Sequence, residues 1–196
     1  MRVDADDFAR PCSCGREHHI DVREIVIESG AIGKLEKEMS DGDLKEYISP
    51  LLICDTNSYK ATEELMEDIY DRCQVLILDA EGLEADERAV EIVENYMEED
   101  IDLVLAVGAG TIHDLSRFVA HQYRIPFVSV PTAASSDGFT STVADMTWNG
   151  VKKVFQASAP LFVFADTDIF LRRLQGLQQP GCRIFWENTL RWQTGR

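Results

Sequence analysis

Residues 104–114, Val-Leu-Ala-Val-Gly-Ala-Gly-Thr-Ile-His-Asp, constrain the fold more than any other stretch of the 196-residue chain. Val104 to Val107 form an apolar run suited to a buried strand, Gly108 and Gly110 allow a sharp turn, and Ile112 to Gln122 place apolar residues at helical spacing. A strand that feeds a helix through small residues aims unpaired N–H groups and a partial positive charge at the space above the turn. That arrangement suits a pyrophosphate. The Lys of a P-loop does not follow, and the G-x-G-x-x-G spacing is absent, so both common phosphate motifs are excluded. A tight strand-to-helix connection without a ligand is the competing reading.

The flanking chain repeats the same alternation. Strands are expected at Glu24–Glu28, Leu51–Cys54, Val75–Leu78, 101–107 and Pro126–Val130. Between them lie a brief helix over Gly33–Met39, helical periodicity over Tyr59–Arg72, a long acidic helix over Glu84–Glu99 with Val90, Val93 and Met97 on one face, and a helix running through Tyr123. Alternation across residues 20–130 predicts an α/β domain with a Rossmann-like, mostly parallel sheet and helices on both faces. Farther on, Asn149-Gly150 predicts a type I′ hairpin turn, Leu161–Ala165 a buried strand, and Asp166-Thr167-Asp168 a helix that starts but does not mature.

Charge narrows the partners. The formal net charge of −16 repels nucleic acid and anionic membranes, so an anionic ligand must be held by helix dipoles and backbone amides rather than by a basic patch. No apolar run approaches the ~20 residues of a membrane span. The N-terminus lacks a signal-peptide core, which places the protein in the cytoplasm. Five Cys in such a chain read as reduced thiols. Cys12, Cys14, His18 and His19 are too closely spaced for a structural zinc site and read as a surface arm.

Two further features could carry chemistry. Asp55 closes a strand, so it either caps a helix beginning near Asn57 or accepts hydrogen bonds from a ribose; from the residues alone, capping is favoured. After Pro131, Thr132-Ala133-Ala134-Ser135-Ser136-Asp137-Gly138-Phe139-Thr140-Ser141-Thr142 is a hydroxyl-rich loop with Asp137 as its one ion. Its hydroxyls suit phosphate and ribose, its small side chains leave room for a flat ring, and Asp137 either grips a substrate hydroxyl or forms an Asx-turn. Lys152 and Lys153 read as exposed hairpin lysines, with a place near a substrate phosphate as the alternative.

Gly108–Asp114, Val130–Ser141 and Ala159-Pro160-Leu161 through Asp168, in this order and spacing, resemble the glycerol-1-phosphate dehydrogenase family. That family sits in the superfamily of glycerol dehydrogenase, iron-containing alcohol dehydrogenases and dehydroquinate synthase. The match covers about residues 12–171. The resemblance implies reduction of dihydroxyacetone phosphate to sn-glycerol 1-phosphate, a polar lipid precursor, by hydride transfer from NAD or NADP. It also implies a homo-oligomer in the intact form and a C-terminal helical domain holding a divalent metal, zinc or nickel. Carried over by motif, Gly108, Gly110, Thr111, Ile112, His113 and Asp114 surround the pyrophosphate. Thr132, Ala133, Ala134, Ser135 and Ser141 line the nucleotide, Asp55 meets the adenosine ribose, and Asp137 holds the substrate. A carboxylate at the ribose favours NAD. Ala109 departs from the triple glycine of the wider superfamily. A nucleotide-binding module without catalysis, and a relative of glycerol dehydrogenase or dehydroquinate synthase, are the alternatives.

The resemblance stops after Phe170, ahead of any of the family's metal ligands, so the chain is expected to carry no metal site and no catalytic residue. Shifting the reading of Trp186–Gly195 by one nucleotide permits Gly-Lys-Tyr-Thr-Ala-Leu-Ala-Asp-Trp, which looks like the family's metal-site segment. Residues 1–19 are therefore expected to be an arm, 20–170 a nucleotide-binding domain, and 171–196 an aberrant, frameshifted tail that leaves a truncated, inactive form.

Overall fold

The computed structural model describes residues 1–4, 13–15 and 21–176. Among the described residues nine strands appear in chain order: β1 (Arg2–Asp4), β2 (Glu24–Glu28), β3 (Pro50–Asp55), β4 (Gln74–Leu78), β5 (Leu103–Gly108), β6 (Phe127–Pro131), β7 (Val143–Trp148), β8 (Val151–Gln156) and β9 (Phe162–Asp166). The helices are α1 (Ala31–Asp41), α2 (Thr56–Thr62), α3 (Glu67–Tyr70), α4 (Glu87–Glu94), α5 (Gly110–Tyr123) and α6 (Thr167–Gly176). No helix among the described residues is long and apolar enough to cross a membrane.

Seven strands make one sheet in the order β1-β2-β9-β6-β5-β3-β4. All neighbours run parallel except β1, which lies antiparallel along β2 at one edge. The chain moves from β3 outward to β4, then crosses back to β5 on the other side of β3. The strand order reverses between β3 and β5, where open α/β sheets leave a crevice at the carboxyl ends of their strands.

Because side chains alternate across a strand, the sheet builds two cores. Leu51, Ile53, Val104, Ala106 and Phe127 point to the layer of α4 and α5, whereas Leu52, Cys54, Leu105, Val107 and Val128 point to the layer that contains Ile32, Leu35, Met66 and Ile69. The β7–β8 hairpin closes the first layer, packing Trp148 tilted and Phe155 edge-on against Phe118 of α5. Its turn has Asn149 at φ 53° and Gly150 at φ 72°, as a type I′ turn requires.

Four expected helices differ in extent, and the one expected over Gly33–Met39 runs longer, as α1 (Ala31–Asp41). The periodicity over Tyr59–Arg72 yields two short helices because the Thr62 hydroxyl bonds back to the Ser58 carbonyl and the amides of Leu65 and Met66 both turn onto the Thr62 carbonyl, dropping Met66 into the core. The acidic helix is confined to Glu87–Glu94: Asp86 caps its start through the Ala89 amide, and Glu94, Glu98, Glu99 and Asp100 crowd like charges at a helix C-terminus that disfavours them. The helix after β9 does mature. Asp166 Oδ1 accepts the Asp168 amide and starts α6, which runs to Gly176. Of the expected tail, only Leu171–Gly176 falls among the described residues; residues 177–196, Cys12, His18 and His19 lie outside them.

Candidate nucleotide-binding site

The carboxyl ends of β3, β5 and β6 come together at the crevice. They bring Asp55, the Gly108-Ala109-Gly110 turn and the start of the hydroxyl-rich loop to one rim. The Thr132 amide donates to the Gly108 carbonyl at 2.9 Å, and the Ser58 and Thr132 hydroxyls lie 3.4 Å apart, so the three strand ends are tied across the crevice.

Helix N-termini at this rim differ in one respect. First-turn amides of α1, α2, α4 and α6 each donate to a protein carboxylate: Ile32 to Asp166, Asn57 and Ser58 to Asp55, Ala89 to Asp86, and Asp168 to Asp166. The longest helix, α5, has Ala109 at its N-cap, no side-chain cap and no acid in its first turn. An uncapped helix start beside a hydroxyl-rich loop favours an anion by elementary electrostatics. Gly108 is needed for its shape, and Gly110 leaves it room. A Cβ on Gly108 would lie 2.6 Å from Ile112 Cβ, and one on Gly110 would lie 3.3 Å from Ser136 Cβ.

The residues singled out in the sequence fall into two groups. Gly110, Thr111, Ala133, Ala134, Ser135, Asp137 and Ser141 are exposed or half-buried around the open turn and loop. Ile112, His113 and Thr132 are buried, so only their backbone can face a ligand at this rim. The His113 ring packs edge-on against Phe139, its Nδ1 lies 2.9 Å from the Ala109 carbonyl, and burial pushes its pKa down to about 4. Asp114 lies mostly buried beside Arg117 and Asp145, and its burial raises its pKa. Asp55 is a cap in this structure: Oδ1 accepts the Asn57 and Ser58 amides, each at 2.9 Å, and Oδ2 accepts the Ser58 hydroxyl at 2.8 Å. Lys152 and Lys153 are exposed on the hairpin.

Two residues of this rim stand out only in the structure. Ser58 links Asp55 to Thr132, and the Asp55-x-x-Ser58 spacing at a helix start is a signal that could have revealed it. Arg117 has no exposed surface, and Asp114-x-x-Arg117 on the apolar face of α5 was its only trace in the sequence.

The described residues contain no group of three His, Cys, Asp or Glu that could hold a metal ion. The buried thiol of Cys54 and the half-buried thiol of Cys73 are pushed up to about 12 by desolvation and stay protonated. What this rim offers chemically is first-turn amides without a side-chain cap beside a run of hydroxyls, donors that suit an anion.

A family model described as iron-containing alcohol dehydrogenase matches residues 26–172. The chain belongs to the iron-containing alcohol dehydrogenase family. Within it, the chain is 38% identical over 169 residues to the glycerol-1-phosphate dehydrogenase [NAD(P)+] of Geobacillus thermodenitrificans, covering 83% of this chain and 41% of that protein. It is 34% identical to the Bacillus subtilis protein of the same name, with 83% and 42% covered. The chain therefore spans about two fifths of the length of these relatives. Among solved structures of the family's fold, an iron-containing alcohol dehydrogenase superposes with a TM-score of 0.65 at 19% identity, covering 78% of this chain and 48% of that one. Glycerol dehydrogenase from Schizosaccharomyces pombe superposes with a TM-score of 0.61 at 21% identity, covering 75% and 38%.

Proposed function

We propose that residues 20–170 are the dinucleotide-binding domain of an NAD(P)-dependent glycerol-1-phosphate dehydrogenase, which reduces dihydroxyacetone phosphate to sn-glycerol 1-phosphate. The observation that carries this reading is the uncapped N-terminus of α5 at the sheet's switch point, flanked by the loop from Thr132 to Ser141. The relatives named for this activity add weight to it.

In this reading the amides of Gly110, Thr111 and Ile112 hold the pyrophosphate, with Gly108 allowing the backbone to pass close beneath it. Thr132, Ala133, Ala134, Ser135 and Ser141 line the nucleotide, and Asp55 receives the adenosine ribose from its place at the end of β3. His113 and Asp114 act from below, through the loop that they support. Asp137 holds a hydroxyl of the small phosphorylated substrate. Bound NAD(P)H supplies the hydride. The chain's own residues orient the nucleotide so that its nicotinamide end lies toward Asp137.

Titration of the purified chain with NADH, followed by Trp fluorescence and by thermal melting, tests the reading. Saturable binding with a raised melting temperature is expected. A cooperative melt that NADH leaves unchanged, with no saturable fluorescence change, would overturn it. Dihydroxyacetone phosphate added to the binary complex tests the substrate class: it should perturb bound NADH fluorescence in the wild type and fail to do so in Asp137→Asn.

A further inference from the structure

The guanidinium of Arg117 is buried and reaches off α5 to both ends of one loop segment. One terminal nitrogen, Nη1, donates to the Val143 carbonyl at 2.9 Å and to Asp114 Oδ1 at 3.1 Å, while the other, Nη2, donates to the Gly138 carbonyl at 2.5 Å. A planar fork fixes the spacing of its acceptors. The carbonyls of Gly138 and Val143 are thereby held to one rigid cation, and between or beside them in the chain lie Asp137, Phe139 and Ser141. Four residues earlier on the same helix, the His113 ring packs edge-on against Phe139, at a centroid distance of 4.7 Å. The Phe127 ring closes the other side of the guanidinium, 5.6 Å away. The opening turn of this same α5 is the phosphate cradle.

We propose that Arg117 is a positioning residue: it clamps the Gly138–Val143 segment to α5 and so sets the distance between the cradle at Gly110 and the carboxylate of Asp137. This deepens the dinucleotide-binding reading and rests on it only for the consequence in ligand binding. The clamp itself is a statement about the loop. It contacts no ligand. Its effect is that nucleotide and substrate groups, which sit on different segments, keep a common frame through one buried cation.

The test compares the full chain with Arg117→Lys and Arg117→Met by amide hydrogen exchange read on peptides across 134–145, with peptides from β3 and β5 as internal references. Methionine keeps the stem and loses every donor. Lysine keeps the charge beside Asp114 but cannot fork to both carbonyls. We expect exchange across the loop to rise about tenfold in Arg117→Met, in line with the loss of charge-assisted bonds, and by less in Arg117→Lys, while the reference peptides are unchanged. Exchange across 134–145 equal to wild type in a folded Arg117→Lys or Arg117→Met variant would overturn the clamp. So would a rise spread evenly over β3 and β5, because that is the mark of a merely structural residue. NADH titration of the same variants reads the consequence: affinity should fall at least about fivefold in Arg117→Met, with Arg117→Lys between it and wild type. If wild-type chain binds no NADH, the function reading fails, and hydrogen exchange still decides the clamp.

Discussion

His113 shows how burial turns a titratable residue into a stability sensor. With its pKa lowered to about 4 in the folded chain against about 6.5 when unfolded, the unfolded state binds more protons over that range, so its contribution to stability is lost as pH falls from about 6.5 toward 4. The loss approaches about 3 kcal/mol when both forms are protonated. Asp114, whose pKa is raised by burial, acts with the opposite sign, because the folded state keeps its proton to higher pH. Thermal melts of wild type and His113→Phe from pH 7.5 to 4.5 separate the two: the difference between the curves should grow as the pH falls through the low sixes, and parallel curves would remove His113 from the account. Asp55 poses a different question, since it is a cap whatever else it does. Asp55→Asn retains an oxygen for the Asn57 and Ser58 amides, so it should melt within about 1 kcal/mol of wild type while binding NADH more weakly. Unchanged affinity in that variant would reduce Asp55 to its capping role.

At the scale of single elements, the joint between β5 and α5 is the least forgiving part of the fold. Gly108→Ala places a methyl against Ile112 Cβ in a packed layer, and overpacking of that kind costs about 1–3 kcal/mol. The melting temperature of Gly108→Ala should fall accordingly, and an unchanged melt would show that Ile112 gives way to the added methyl. Gly110→Ala meets the Ser136 side chain, which can move, so its penalty should be smaller. The same joint also explains what could be seen in the sequence. Gly108 and Gly110 in a short span between an apolar run and a helical pattern announce a strand-turn-helix unit, and Asn149-Gly150 announces a hairpin, because backbone conformation leaves a local mark on residue choice. Arg117 left almost none. Its acceptors are carbonyls of Gly138 and Val143, brought to it by tertiary packing, and no spacing rule relates them. The start of the acidic helix at Glu87 and the maturation of α6 were likewise decided by single carboxylates, Asp86 and Asp166, that periodicity does not weigh. The paired roles of Asp166, which serves the starts of both α1 and α6, came from strand order alone.

Over the whole molecule, the charge of −16 acts against an anionic ligand at long range, while the opening turn of α5 attracts it at short range. Salt screens the first contribution over about 10 Å at 0.1 M and reaches the partly buried second one less. The affinity for NADH should therefore rise between 20 and 300 mM NaCl, opposite in sign to a site built from lysines and arginines. A fall in affinity over that range would place a cationic side chain among the phosphate ligands. Strand order has another consequence. The partners of β2 are β1 and β9, and the parallel partner is the last strand of the sheet to be made, with Glu24 set beside Phe162. On a translating ribosome the early hairpin of β1 and β2 must wait for residues beyond Phe162 before that edge can close, an interval on the order of ten seconds at ordinary elongation rates. Until then its apolar Ile25, Val26 and Ile27 stay available to chaperones or to other nascent chains, so the yield of native protein should depend on how that interval is spent.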